Sequence, residues 1–194
     1  MTAYQYFHRL ASGFDVAPAL AEWKANPGFL WKPYYRQHRG LMIAQHGLPA
    51  DRKDPSPDQL RIGSIISEDA YNPECPEAVR LALLVVHVLG APLIRQACIR
   101  AMPPRSRISP HRDNFDTLGG QSRVHLALQC DAKMRFTIRG QACSFQPGEL
   151  WLCDIGDRVH HVDNKSDQHR IMMMFDVRVP PDELLLRFGL ERRA

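Results

Sequence analysis

Beyond Pro92 the sequence breaks into seven short runs with the texture of β-strands: LIRQACIRAM, SRVHLALQC, MRFTIRG, ACSFQ, ELWLCD, RVHHV and HRIMMMFDVRV. They are packed into fewer than ~90 residues, and strands so short and closely spaced point to a sandwich or barrel. The joints RGQA, QPGE and the Gly-centred DIGDR carry turn residues. Count and spacing fit a double-stranded β-helix, the eight-stranded jelly roll of cupin-like folds.

The part before residue 92 reads differently. VAPALAEWKAN has apolar residues at helical spacing, and PECPEAVRLALLVVHVLG reads as a buried helix opened by prolines and acids and stopped at Gly90. HGLPADRKDPSPDQL is rich in Pro and Asp and is expected to be a surface connector. The expectation is one domain over residues 1–194, mainly β with flanking helices. A helical and irregular part, 1–91, packs on a β-helix core, 92–178. A chain of 194 residues is the size of one ordinary domain.

Composition narrows the function. With 44% hydrophobic and 24% charged residues the chain reads as globular, and no apolar run approaches the ~20 residues that cross a bilayer. MTAYQYFHRLASGFD lacks the basic start and apolar run of a secretory signal, so a cytoplasmic location is the expectation. The five cysteines form no CxxC pair and are expected as free thiols, with Cys98 and Cys153 packed as small hydrophobes. A net charge of +4 on scattered arginines suits small anionic ligands better than nucleic acid.

The chemistry concentrates in HRD, residues 111–113, after the expected loop PPRSRISP. Positions i and i+2 of an extended chain face one way, so His111 and Asp113 can grip one ion. His160, forty-nine residues further on, supplies a third ligand. Two imidazoles and a carboxylate on one face of an octahedron leave three positions open, the arrangement used by iron(II) oxygenases. Arg170 stands ten residues after His160 at the mouth of an apolar run. A buried guanidinium needs an anionic partner, either a cosubstrate carboxylate or an acid such as Asp154 or Asp176.

HRDN, SRVHLAL, PGELWLCD and HHVDNKSDQHR, in this order and spacing across about residues 92–178, resemble the aspartyl/asparaginyl β-hydroxylase superfamily. The resemblance implies a double-stranded β-helix that binds iron(II) and 2-oxoglutarate. It also implies that dioxygen-driven decarboxylation of 2-oxoglutarate is coupled to C–H hydroxylation. His111 and His160 match the two metal-binding histidines, and Arg170 matches the cosubstrate arginine. Arg123 and His125 match an Arg-x-His pair facing the pocket, with Arg123 as a carboxylate clamp for substrate or cosubstrate. The spacing of ten to Arg170 selects His160 over its neighbour His161 as the distal ligand.

Animal β-hydroxylases of this superfamily carry glycine where this chain has Asp113. The complete triad, with GELW and the N-x-S after the distal histidine, looks more like bacterial free-proline hydroxylases. Those enzymes carry an extra carboxy-terminal helical region, for which the roughly sixteen residues after Arg178 are too few. The expected substrate is an amino-acid residue, in a peptide or protein, bearing a carboxylate or carboxamide. A free amino acid is the alternative, and a non-catalytic jelly roll that binds a metal or anion is the alternative of another class. His87, within an apolar helix, is expected in the core, as is the run Met172, Met173 and Met174. Trp151 either packs against the barrel or lines the pocket.

Overall fold

The computed structural model describes residues 5–25, 32–33, 61–67, 70–71, 75–90, 94–113 and 122–191. In chain order they form β1 (Phe7–Ala11), α1 (Ala17–Ala25), β2 (Lys32–Pro33), β3 (Arg61–Ser67), β4 (Ala70–Tyr71) and α2 (Pro76–Leu89). Then follow β5 (Ile94–Met102), β6 (Ser106–His111), β7 (Ser122–Gln129), β8 (Met134–Ile138) and β9 (Gln141–Cys143). The chain continues through β10 (Leu150–Cys153), β11 (His160–Asn164), β12 (Arg170–Val177) and α3 (Pro181–Arg187).

Two antiparallel sheets face each other. The larger runs β1-β10-β7-β12-β5-β3-β2, with β4 beside β3, and the smaller runs β6-β11-β8-β9. From β5 to β12 the chain passes back and forth between the sheets, pausing only for the β8–β9 hairpin. That winding is the double-stranded β-helix expected from the strand count. The hairpin turns on Arg139 and Gly140, both at positive φ (47° and 84°). Two successive left-handed residues match the twist of the flanking strands.

Two expectations about strands are corrected. Residues 1–91 are not only helical and irregular, because β1 extends the larger sheet beyond β10 while β3 and β2 extend it beyond β5. PPRSRISP is not a loop either: Ser106–His111 is strand β6. Its Pro110 misled the reading, yet a proline is tolerated where no partner strand needs its missing N–H, and β6 is the edge of the smaller sheet. The expected connector HGLPADRKDPSPDQL lies outside the described residues.

The larger sheet separates two cores. Its outer face packs Leu126, Leu152, Met173 and Phe175 against Leu81, Val85 and Leu89 of α2 and Leu184 and Leu185 of α3. Its inner face meets the smaller sheet through Phe136, Phe145, Trp151, Met172 and Met174. All three methionines of the run are buried, as expected, because β12 is central and covered on both faces. Cys98 and Cys153 are buried and all five cysteines are free. Helix α2 ends at Gly90 in the left-handed conformation, as its sequence requires. Its other end is held by Glu22 of α1, whose carboxylate accepts the N–H groups of Glu77 (3.1 Å) and Ala78 (2.9 Å). His87 is not in the core: it lies exposed on the same side of α2 as Leu84 and Val88. Among the described residues no helix is long and apolar enough to cross a membrane.

The turn before β10 shows how tightly the barrel end is closed. Gly148 has φ 80°, and a Cβ there would stand 2.7 Å from the Phe14 carbonyl oxygen. Gly148→Ala is therefore expected to destabilise the fold by roughly 1–3 kcal/mol in urea unfolding, through both backbone strain and the clash.

Candidate metal centre

His111 closes β6 and His160 opens β11, and the two are direct cross-strand partners. The register shifts between this pair and the next, Val162 with Ile108. An irregularity of this kind re-aims the side chains beside it. The two imidazoles stand 4.3 Å apart between ring centres. Each is held in the same way: Nδ1 lies 2.8 Å from the Ser109 carbonyl in His111 and 2.9 Å from the Arg158 carbonyl in His160. A carbonyl only accepts, so each Nδ1 carries a hydrogen, and Nε2 is the ring atom each histidine turns toward Asp113. Phe136 meets the His160 ring edge-on at 5.8 Å.

Asp113, two residues past the strand, completes the set. Its Oδ1 lies 3.5 Å from Nε2 of His111 and 3.8 Å from Nε2 of His160. One donor atom from each of the three residues falls within 4.8 Å of the others. Burial alone would raise the Asp113 carboxyl, but hydrogen bonding to His111 and the charge of Arg123 hold it well below the usual carboxylate range. Burial, reinforced by the neighbouring His111, pushes His160 down to about 4. An ionised carboxylate and two imidazole Nε2 atoms, once a metal displaces any proton between them, fit a hard or borderline divalent cation. His161 points to the other face of β11, where its Nε2 lies 3.5 Å from Oδ2 of Asp163.

The inner face of the larger sheet supplies the rest. Arg170, at the head of β12, is 6% exposed, and its Nη2 has no hydrogen-bond partner among the described residues. The acids that might have paired with it are engaged elsewhere, Asp154 by Arg158 (2.9 Å) and Asp176 by Arg123 (2.8 Å). Its guanidinium stands over the Phe145 ring at 5.9 Å, and burial lowers its pKa. His125, on neighbouring β7, is likewise buried, with both ring nitrogens unpartnered among the described residues. Burial first, and then the charge of Arg170, push its pKa well below the usual imidazole value. A buried guanidinium with Nη2 unpartnered and an imidazole with both nitrogens unpartnered, among the described residues, could hold an anion.

The sequence profile of the Aspartyl/Asparaginyl beta-hydroxylase family matches residues 21–180. The chain belongs to this family. No curated protein sequence matches it significantly. Among solved structures it is similar to a prolyl hydroxylase from Trichoplax adhaerens in complex with a hypoxia inducible factor peptide fragment. That likeness has TM-score 0.61 at 12% identity and covers 89% of this chain and 83% of the other. It is also similar to a Pseudomonas putida prolyl-4-hydroxylase (TM-score 0.53, 15% identity, 90% and 93% covered). A third likeness is to AviO1 from Streptomyces viridochromogenes Tue57 (TM-score 0.51, 13% identity, 91% of each chain). At these identities the likeness is one of fold.

In this β-hydroxylase family member the loop between β11 and β12 is pinned by Asn164, which the sequence marked only as part of N-x-S. Its Nδ2 donates to the carbonyls of Pro103 (2.7 Å) and Gln168 (2.9 Å), and its Oδ1 accepts from Ser166 N–H (3.1 Å). Ser166 Oγ in turn bonds Asp131 (2.6 Å). The loop thus fixes where β12 begins, and so where Arg170 stands. Asn164→Ala leaves these buried backbone groups without partners, at a cost of about 2–3 kcal/mol. Thermal unfolding should show that loss. Asp176 was considered only as a partner for Arg170, although the period-2 series Arg170, Met172, Met174, Asp176 already places it on the inner face.

Proposed function

We propose that this protein is an iron(II)- and 2-oxoglutarate-dependent hydroxylase acting on a C–H bond of an amino-acid residue in a peptide or protein. The observation that carries the reading is the convergence of His111, Asp113 and His160, with a buried Arg170 whose Nη2 has no partner among the described residues. The two Nε2 atoms and Asp113 Oδ1 would hold the metal, and Arg170 would bond the far carboxylate of 2-oxoglutarate, with His125 beside it. When bound, iron(II) and 2-oxoglutarate supply the oxidising power that turns C–H into C–OH, with dioxygen consumed and succinate and carbon dioxide released.

The protein's own part is positional. Carbonyl-anchored Nδ1 atoms keep both imidazoles in the ligating tautomer. Phe136, Phe145 and Met172 line the interior with apolar surface that keeps water from competing. Arg100 lies on β5 between Cys98 and Met102, whose side chains join the inner core. It is close enough to act electrostatically on His111, Arg123 and His125. A site so furnished favours a substrate bearing a carboxylate or carboxamide over a cationic one. The peptide in the Trichoplax complex supports a peptide substrate by analogy of fold.

The test is incubation with iron(II), 2-oxoglutarate and oxygen over a panel of acidic and amide-bearing peptides and free amino acids. The products are followed by mass spectrometry and succinate assay. A gain of one oxygen in a peptide with matching succinate is expected. Hydroxylation confined to a free amino acid would move the substrate class, and no succinate under any condition would leave a non-catalytic binding protein.

A further inference from the structure

Asp113 divides its two oxygens between different tasks. Oδ1 faces the two histidine nitrogens, at 3.5 and 3.8 Å, while Oδ2 accepts a hydrogen bond from Nη1 of Arg123. Arg123 is itself held from behind: Nε donates to Oδ1 of Asp176 at 2.8 Å and Nη2 reaches Oδ2 at 3.4 Å. Arg123 and Asp176 are direct cross-strand partners on β7 and β12, near the middle of the larger sheet. All three side chains are 9–13% exposed. The result is a buried carboxylate–guanidinium–carboxylate chain that ties a residue beyond the end of β6 to two central strands of the larger sheet.

The expectation from the sequence made Arg123 a clamp for substrate or cosubstrate. Its Nε and both Nη nitrogens each reach one of two carboxylates of the protein, which commits three of its five N–H donors. The consequence for a metal is geometric. A carboxylate that chelates through both oxygens takes two of six octahedral positions. One that binds through a single oxygen takes one, leaving three for cosubstrate and dioxygen.

We infer that Arg123, oriented by Asp176, is a positioning residue that occupies Oδ2 of Asp113 and so restricts this ligand to one-oxygen ligation. The inference rests on the metal-centre reading above. Asp176 then acts through Arg123 and not on any ligand or substrate. Without it, Arg123 can swing away and Asp113 is free to turn or to chelate.

The test uses cobalt(II) as a visible probe, titrated into the wild-type chain, Asp176→Asn and Arg123→Lys, with apo-protein unfolding measured in parallel. Asp176→Asn keeps shape while weakening the hold on Arg123. Arg123→Lys keeps the charge but cannot fork between two carboxylates. In both variants cobalt affinity is expected to fall 10–100-fold, the usual scale for losing an outer partner of a ligand. The absorption of the cobalt-saturated protein should also change as the ligation changes, and 2-oxoglutarate affinity of that saturated protein should stay within about threefold. Unaltered cobalt affinity and spectrum with lower thermal stability would make the chain a structural ion pair and overturn the proposal. Unaltered cobalt affinity with a tenfold loss of 2-oxoglutarate affinity would restore Arg123 as the clamp. If Arg123→Lys does not fold, the near-isosteric Asp176→Asn decides alone. A wild-type chain that takes up no cobalt, iron or manganese would instead refute the metal centre itself.

Discussion

His160→Ala is expected to lose the metal and all measurable turnover, whereas His161→Ala is expected to keep both. The two imidazoles are sequence neighbours on one strand and therefore face opposite sides of the sheet. Nε2 of His160 lies 3.8 Å from Asp113, beside the His111 ring, while Nε2 of His161 lies 3.5 Å from Asp163 on the outer side. Removing an outer partner of a ligand typically costs 10–100-fold in metal affinity, so removing the ligand should cost more than about a hundredfold, or about 2.7 kcal/mol. Asp113→Ala should fall between the extremes, because two imidazoles remain. Iron retained after desalting, cobalt titration and succinate release measure the effect, with circular dichroism to confirm folding. Wild-type iron content in His160→Ala, with loss in His161→Ala, would transfer the distal role.

Arg170→Met should raise the 2-oxoglutarate requirement ten- to a hundredfold without weakening the apo fold. The first half follows from the energy of a charged contact in a buried site, about 1.5–3 kcal/mol. The second follows from the absence of an acid beside Arg170 among the described residues. Removing one partner of a buried ion pair is strongly destabilising, but replacing an uncompensated buried charge by an apolar side chain is neutral or stabilising. Ligand linkage separates the two cases. At a hundred times its Kd, 2-oxoglutarate stabilises the metal-loaded wild type by about 2.7 kcal/mol; at the same concentration the variant should gain only about 0.4–1.4 kcal/mol. A variant that loses several kcal/mol of apo stability and keeps its 2-oxoglutarate response would show that Arg170 is structural.

Local signals were readable wherever the cause is local. Gly90 stops α2 because a left-handed cap suits glycine, and the short runs after Pro92 became strands because their turns carry the right residues. His111 and Asp113 converge because an extended chain repeats every two residues. His87 failed because an apolar helix with one exposed stripe looks, in sequence, like one buried all round. β6 failed because Pro110 argues against a strand unless that strand is known to be an edge. β1 and β3 are hard to see in sequence because each is stabilised by pairing with a strand more than twenty residues away, β10 and β5.

The sequence alone determined the type of fold, singled out the three residues that converge as the candidate metal centre, and placed an arginine ten residues after the last of them. Only the tertiary structure decided which charges are satisfied by the protein itself. It pairs Asp176 and Asp113 with Arg123 and Asp154 with Arg158, and leaves Nη2 of Arg170 without a partner among the described residues. The reason is that a strand's alternation states which face a side chain takes. Which oxygen meets which nitrogen depends on the register between strands distant in sequence, and a shift of one residue would exchange every partner.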